Sequence, residues 1–181
     1  MTTSALDLDA ARLTALGVAF LGAAALWWLY FEYVAGIAQR RLELAANRTL
    51  LARDGYTYLH AVMVAGVIVW AVGDELVIAQ PTGELAAAEV AAVVAGPAIY
   101  LLGHALFRLR MAGSLAWKRL AGAVACVALG LIGTLITALL LLSLVVAVLI
   151  GVIVAEHVAA ARRTGRGEPS PLERLDAQAP G

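Results

Sequence analysis

The last apolar tract of the chain, residues 120–161, constrains the fold more than any other feature. It is 42 residues long, and at about 1.5 Å of rise per residue one straight helix of that length would measure about 63 Å. The hydrocarbon core of a bilayer is about 30 Å thick, so a single helix would be roughly twice as long as a span requires. The tract therefore predicts two spans, with a tight turn within GLIGTLIT at residues 130–137.

Three more apolar tracts precede this one, and the composition agrees with a membrane protein. Charged residues make up 14% of the chain, whereas soluble domains carry about 25%. The sequence therefore predicts an all-α fold, a polytopic helical membrane bundle of five transmembrane helices over residues 1–161. The predicted spans are about 13–34, 58–79, 85–107, 120–135 and 138–160. The Pro-, Gly- and charge-rich segment 162–181 is expected to be a disordered cytoplasmic tail.

The placement of basic residues predicts the orientation of these spans. Lys and Arg collect in cytoplasmic loops, and five spans with the N-terminus outside place every Lys and Arg except Arg12 in the cytoplasm. Four spans would put the arginines of the tail on the opposite side. The C-terminus is therefore expected in the cytoplasm. The apolar tracts make the lipid bilayer the expected partner. Nucleic acid is not expected, because a formal net charge of zero gives no electrostatic attraction to phosphates.

Two adjacent carboxylates, Asp74 and Glu75, lie near the outer end of the second span, in AVGDELVIAQP at residues 71–81. Glu89, early in the third span, would extend this outer polar layer. An ionised carboxylate within a membrane costs several kcal/mol and is a functional candidate by default. Two interpretations remain open: an ion- or proton-handling site, or a wet rim that caps the outer mouth of the bundle.

A second polar layer is predicted near the cytoplasmic face, where five titratable side chains fall at similar depth. They are Glu32, His60, His104, Glu156 and His157. Histidine titrates near neutral pH and ligates metals, so the layer could relay protons or hold a divalent ion. Interfacial side chains that extend toward the headgroups are the other explanation. No local ligand motif of the H-E-x-x-H type accompanies these residues, so no metal ligand and no cofactor is assigned.

Helical phase connects the two layers. At 100° per residue, His60 and Asp74 differ by about 40° around the second span, so one face carries a polar residue at each end. In the third span, Gly96-Pro97 lies mid-helix and predicts a kink. Kinked helices with a partly polar face line cavities in transporters, and they also occur in bundles without transport activity.

Small residues recur near a four-residue spacing in the fourth span. They are Gly122, Cys126, Gly130, Gly133, Thr134 and Thr137. This spacing predicts a face for close helix–helix packing. No catalytic constellation appears, because the sequence has no G-x-S-x-G motif and no phosphate-binding loop.

Three stretches, in order, resemble the C-terminal half of the low temperature requirement protein A (LtrA) family of bacterial integral membrane proteins. They are LWWLYFE (26–32), YTYLHAVMVAGVIVWAVGDELVIAQP (56–81) and GPAIYLLGHALFRLRMAG (96–113). The resemblance implies a multi-pass protein of the cell inner (plasma) membrane. It also implies that an N-terminal half is missing here, since members of the family are usually about twice this length. The family implies no established biochemical activity.

Three functions follow as hypotheses. The first is a transporter of a proton, a cation or a small solute, whose path connects Asp74 and Glu75 with His60 and His104. The second is a non-transporting scaffold or partner subunit that assembles through the fourth and fifth spans, as a homo-oligomer or with the missing half. The third is a membrane-embedded enzyme that uses a metal held by the inner layer.

Overall fold

The computed structural model of the chain describes residues 9–33, 39–44 and 47–170, together with Glu173 and Ala177. This part is helical apart from short turns and an isolated bridge between Glu84 and Thr137. The helices are α1 (Ala10–Tyr33), α2 (Gln39–Leu44), α3 (Arg48–Ala52), α4 (His60–Ala79), α5 (Ala87–Ala112), α6 (Trp117–Leu129) and α7 (Ala138–Gly165). A π-helical segment, Arg53–Leu59, joins α3 to α4, and a 3₁₀ turn, Gly133–Leu135, follows α6.

The long helices alternate in direction. Tyr100 in α5 donates a hydrogen bond of 2.6 Å to the carbonyl of Leu26 in α1, and Arg119 at the start of α6 pairs with Glu156 near the end of α7. Together with the glycine contacts between α4 and α5, these contacts show that α1, α5 and α7 run one way and α4 and α6 run the other.

The two ends of the bundle differ in charge. One end, called the basic end below, carries the end of α5, the start of α6 and the end of α7. Its cationic residues include Arg108, Arg110, Lys118, Arg119 and Arg162. The opposite end carries the turns at residues 80–86 and 130–137, where the Ala138 amide donates to the carbonyl of Gly83 at 2.9 Å.

The closest helix pair is α4 with α5, and glycine makes the approach possible. A Cβ atom on Gly66 would lie 2.7 Å from the backbone nitrogen of Tyr100, and one on Gly96 would lie 2.5 Å from that of Trp70. Small residues at a helix crossing let two backbones come together, and dispersion contacts then hold the pair in lipid. Gly73 repeats the pattern one heptad after Gly66, against Val93.

Four helices of the described part are long and apolar enough to cross a membrane, by length and composition. They are Ala10–Phe31, Thr49–Ala79, Ala87–Met111 and Ala138–Gly165. The predicted fourth span, 120–135, instead consists of most of α6, a turn and the 3₁₀ segment. With 13 residues, α6 is about 20 Å long, less than the hydrocarbon thickness. The count of five spans stays a prediction.

Although short, α6 packs along much of α5. The side of α6 that carries its glycines faces the bundle: Gly122 lies beside Leu101, Gly130 beside Val94, and Gly133 beside Val90. Cys126 on the same face is fully buried. Of the predicted packing face, Gly122, Cys126, Gly130 and Gly133 therefore pack against the bundle, whereas Thr134 and Thr137 are exposed. In contrast to α6, α7 continues to Gly165, past the predicted end of the fifth span at residue 160.

The glycine crossing predicts a large difference between two identical substitutions. Gly96→Ala should lower the free energy of unfolding by about 1–3 kcal/mol, because the added methyl group meets the backbone of α4. Gly151→Ala is the matched control, since no atom lies within 4 Å of a Cβ built there. It should be neutral or stabilising by up to about 1 kcal/mol, as alanine is the better helix former. Thermal unfolding in detergent, followed by circular dichroism, measures both, and equal stability of the two variants would contradict the crossing.

Candidate functional site: a buried ion cluster beside an aromatic cleft

The most deeply buried charge in the described residues belongs to Arg119, in the first turn of α6, whose side chain is 1% exposed. Its Nε donates to Glu156 Oε1 at 3.0 Å and its Nη2 donates to Oε2 at 2.8 Å, which makes a bidentate pair between α6 and α7. Such forked pairs are the strongest ionic hydrogen bonds in proteins. Arg108 Nη1 stands 3.8 Å from the same carboxylate, so two guanidinium groups share one negative charge.

His104 in α5 completes this group. Arg119 Nη1 contacts His104 Nδ1, and His104 is fully buried. Because a guanidinium has only donors, Nδ1 must be the acceptor, which assigns a neutral imidazole with its proton on Nε2. His104, Arg108, Arg119 and Glu156 are together called the inner cluster below. It ties α5, α6 and α7 to one another at the basic end.

Tyr30 of α1 places His60 next to the inner cluster. The ring of Tyr30 is 5.6 Å from that of His60 and 6.3 Å from that of His104, both in edge-on contacts. The Tyr30 ring therefore contacts both histidines, which come from α4 and α5. The structure thus brings His60, His104 and Glu156 of the predicted inner layer into one region.

An aromatic cleft of about 380 Å³ opens beside this region, between α1, α4 and α5. Its lining is mostly apolar and consists of Ala23, Leu26, Trp27, Tyr30, Phe31, His60, Met63, Val64, Val67, Trp70 and Tyr100. Two buried polar atoms belong to this lining, His60 Nδ1 and Trp70 Nε1. Within the described part of the chain, His60 Nδ1 has no hydrogen-bond partner, whereas the indole of Trp70 lies within reach of the Asp74 carboxylate on the next turn of α4. Buried polar atoms are nearly always paired, so His60 Nδ1 is a group that a bound solute or water would satisfy.

Asp74 follows Trp70 by one helical turn, on the same side of α4. Its Oδ1 is buried and finds no hydrogen-bond partner among the residues described. The neighbouring Glu75 is exposed. The structure thus separates the two adjacent carboxylates, and Asp74 is the one that faces the bundle.

Glu89 has a local structural role. Its Oε2 accepts a hydrogen bond of 2.8 Å from the backbone nitrogen of Ala86, and this contact caps the start of α5. A carboxylate at a helix N-terminus satisfies an orphan donor and complements the helix dipole. Capping alone explains why this residue is acidic.

Two of the predicted inner residues are not part of the inner cluster. His157 is exposed, packs on Trp28 with ring centroids 6.2 Å apart, and has its Nδ1 3.0 Å from the Ile153 carbonyl of its own helix. The side chain of Glu32 lies outside the described residues. Pro97 is buried inside α5, which is helical on both sides of it, and the kink at Gly96-Pro97 stays a prediction.

Both arginines of the inner cluster, Arg108 and Arg119, are site residues that the sequence analysis missed, because they were counted only as cytoplasmic charges. A signal was nevertheless present. Gly122 and Cys126 follow Arg119 at three and seven residues, which places all three on one helical face. Since this is the packing face of α6, Arg119 had to point into the bundle and needed a carboxylate there.

Metal ligands do not come together in the residues that the structure describes. They contain no group of three or more His, Cys, Asp or Glu side chains that could hold a metal ion. The inner cluster instead pairs its one carboxylate with two guanidinium groups.

The apolar helices, the internal charge pair and the glycine crossing define an integral membrane protein with an all-helical core. The sequence model of the family described as "Bacterial low temperature requirement A protein (LtrA)" matches residues 1–154. The chain belongs to this family. No curated protein and no solved structure matches it.

The inner cluster predicts a strongly non-additive pair of substitutions. Arg119→Leu should lower the free energy of unfolding by about 3–5 kcal/mol, because it leaves the Glu156 carboxylate without its bidentate partner. Adding Glu156→Leu should recover part of this loss, since the unpaired charge is then gone. Denaturant or thermal unfolding in detergent measures both.

An exposed ion pair at the same end serves as the control. Arg110 pairs with Asp54 at 3.0 Å while 45% exposed, so Arg110→Leu should cost only about 0–1 kcal/mol. If Arg119→Leu is no more damaging than Arg110→Leu, the inner cluster does not hold the helices together.

Proposed function

We propose that this protein transports a proton or a small solute along the aromatic cleft. The observation that carries the proposal is that two polar groups of α4 line the cleft. The buried Nδ1 of His60 has no hydrogen-bond partner in the described part of the chain, and the indole of Trp70 reaches the Asp74 carboxylate. A purely structural groove in lipid would have no use for such groups, because an unpaired polar atom in hydrocarbon costs several kcal/mol.

The length of the proposed path supports this function. His60 and Asp74 are 14 residues apart on α4, which corresponds to about 21 Å along the helix, or roughly two thirds of the hydrocarbon core. The cleft covers the part from His60 to Trp70. Asp74 lies one turn further, so the cleft has a polar group at each end, His60 at one and Trp70 with Asp74 at the other, and apolar walls of Met63, Val64 and Val67 between them.

Each group has a role that its chemistry allows. The half-buried carboxylate of Asp74 would take up a proton or bind a polar group of the solute. His60 would pass a proton through its imidazole ring, which accepts at one nitrogen and donates from the other. Tyr30 and His104 continue toward the basic end.

The charge of the inner cluster limits which transported species the path could take. Arg108 and Arg119 both lie at the Glu156 carboxylate, so two positively charged guanidinium groups lie next to the end of the path. This charge disfavours a free metal cation there. A proton passed between hydrogen-bonded groups, or a neutral solute with hydrogen-bonding groups, avoids that penalty better.

We also infer that the chain crosses the membrane five times, with its N-terminus outside. In support, α6 and the 3₁₀ segment that follows extend alongside α5 from Leu101 to Val90. The basic residues collect at one end of the bundle, as the positive-inside rule requires for a cytoplasmic face. The inner membrane is the location that this topology and the family favour.

An assembly role is the alternative. The glycines of α6 are packed inside this chain, so they do not form an outward dimer face. An exposed apolar strip on α6 remains, formed by Val124, Val127 and Leu131. Lipid can cover this apolar strip as well as a partner protein can, so the strip does not require an assembly. The cleft, by contrast, needs a polar occupant. Transport is therefore the preferred function. The enzyme hypothesis has no support from the described residues, since none of them form a metal-ligand group.

Two neighbouring carboxylates provide the sharpest test of transport. In liposomes loaded with a pH-sensitive dye, Asp74→Asn should reduce proton or proton-coupled flux to background, because the buried carboxylate is on the path. Glu75→Gln is the matched control and should retain the flux, since Glu75 is exposed. Both variants should show the same helical circular dichroism as the wild type.

The contrary result is equally clear. If Glu75→Gln loses the flux and Asp74→Asn keeps it, the path does not follow the cleft. If the wild type carries no flux of protons, monovalent cations or small neutral solutes, the cleft is not a transport path and the assembly role gains.

A further inference from the structure

A second cavity lies at the basic end and shares no residue with the aromatic cleft. It has a volume of about 270 Å³ and is lined by Arg41, Leu44, Leu51, Arg110 and Met111. These residues come from α2, α3 and the end of α5. It is called the basic pocket below. Two guanidinium groups over an apolar floor make it amphipathic.

Both guanidinium groups are held in place by other parts of the chain. Arg41 Nε donates to the carbonyl of Met111 at 2.9 Å. Arg110 donates through Nε and Nη2 to Asp54 Oδ2, at 3.2 and 3.0 Å. Asp54 also pairs with Arg53 at 3.3 Å, so positive charge is in excess over negative charge among the described residues at the pocket. A fixed planar guanidinium is well suited to a phosphate, because its donors match the spacing of the phosphate oxygens.

The surroundings place the basic pocket at the depth of the lipid headgroups. Exposed aromatic side chains surround the bundle at this end, and amphipathic rings favour the membrane–water interface. They are Trp27, Trp28, Phe31, Tyr58 and Trp117. An occupant of the pocket would therefore have its charged part in the headgroup layer and its apolar part next to the hydrocarbon.

We propose that the basic pocket binds the phosphodiester headgroup of an anionic glycerophospholipid such as phosphatidylglycerol. The negative charge of a phosphodiester complements the excess positive charge of the pocket. The floor formed by Leu44, Leu51 and Met111 accepts the first methylene groups of an acyl chain, which a free phosphate ion lacks. Basic pockets between membrane helices recognise lipid headgroups in this way. The proposal does not depend on transport, because it concerns a different cavity.

The experiment is a lipid titration of the purified full chain in detergent, followed by native mass spectrometry. Phosphatidylglycerol should bind to one saturable site, and more tightly than phosphatidylcholine, whose headgroup has no net charge. Arg41→Gln should weaken phosphatidylglycerol binding by about tenfold or more, which corresponds to the loss of a hydrogen bond to a charged group. Arg162→Gln, which removes a charge from the same end but outside the pocket, is the matched control and should leave binding unchanged.

A second variant guards against a folding defect, because Arg41 also anchors α2 to the end of α5. Leu44→Trp keeps both arginines and fills the floor of the pocket, and it should also abolish the tight site. Equal weakening by Arg41→Gln and Arg162→Gln would overturn the proposal, because diffuse surface charge would then explain the binding. Inorganic phosphate that displaces the lipid with equal affinity would overturn it as well, since the site would then take free anions.

Discussion

The bidentate pair between Arg119 and Glu156 is the interaction on which the arrangement of the second half of the chain depends. A guanidinium that is 1% exposed inside a membrane bundle must have its donors satisfied, and this requirement fixes the start of α6 against the end of α7. The remaining guanidinium nitrogen, Nη1, contacts Nδ1 of His104. This contact ties α5 to the same pair. The pair thereby fixes the register of a short helix of 13 residues, whose face of small residues packs along α5.

The aromatic cleft is a consequence of unequal helix packing. Gly66, Gly73 and Gly96 let α4 and α5 approach at backbone distance, so this pair has no room for a solute. On the other side of α4, bulky rings such as Trp27 and Tyr30 hold α1 further away, and the cleft opens there. α4 is thus packed tightly against α5 and loosely against α1. The aromatic cleft therefore lies beside a rigid pair of helices, which supports it.

The sequence predicted the helical class and the positions of the long helices, because an apolar tract of sufficient length has few alternatives in a membrane. It also predicted the packing face of α6 from glycine spacing. It did not predict the depth of Arg119, the separate environments of Asp74 and Glu75, or the capping role of Glu89. Each of these depends on which neighbouring helix a side chain meets, and hydropathy and charge counts carry no such information. The existence of the cleft likewise depends on the relative approach of α1 and α4.

The most direct test of a solvated cleft compares two adjacent positions on α4. In a Cys126→Ala background, Val67→Cys lies in the cleft lining, whereas Ile68→Cys lies outside it. The two side chains are 43% and 61% exposed, respectively, so exposure alone would favour Ile68. A membrane-impermeant thiol reagent should label Val67→Cys in liposomes and leave Ile68→Cys unmodified, because the first faces water and the second faces lipid. Failure to label Val67→Cys would mean that lipid fills the cleft, and this result would contradict a transport path through it.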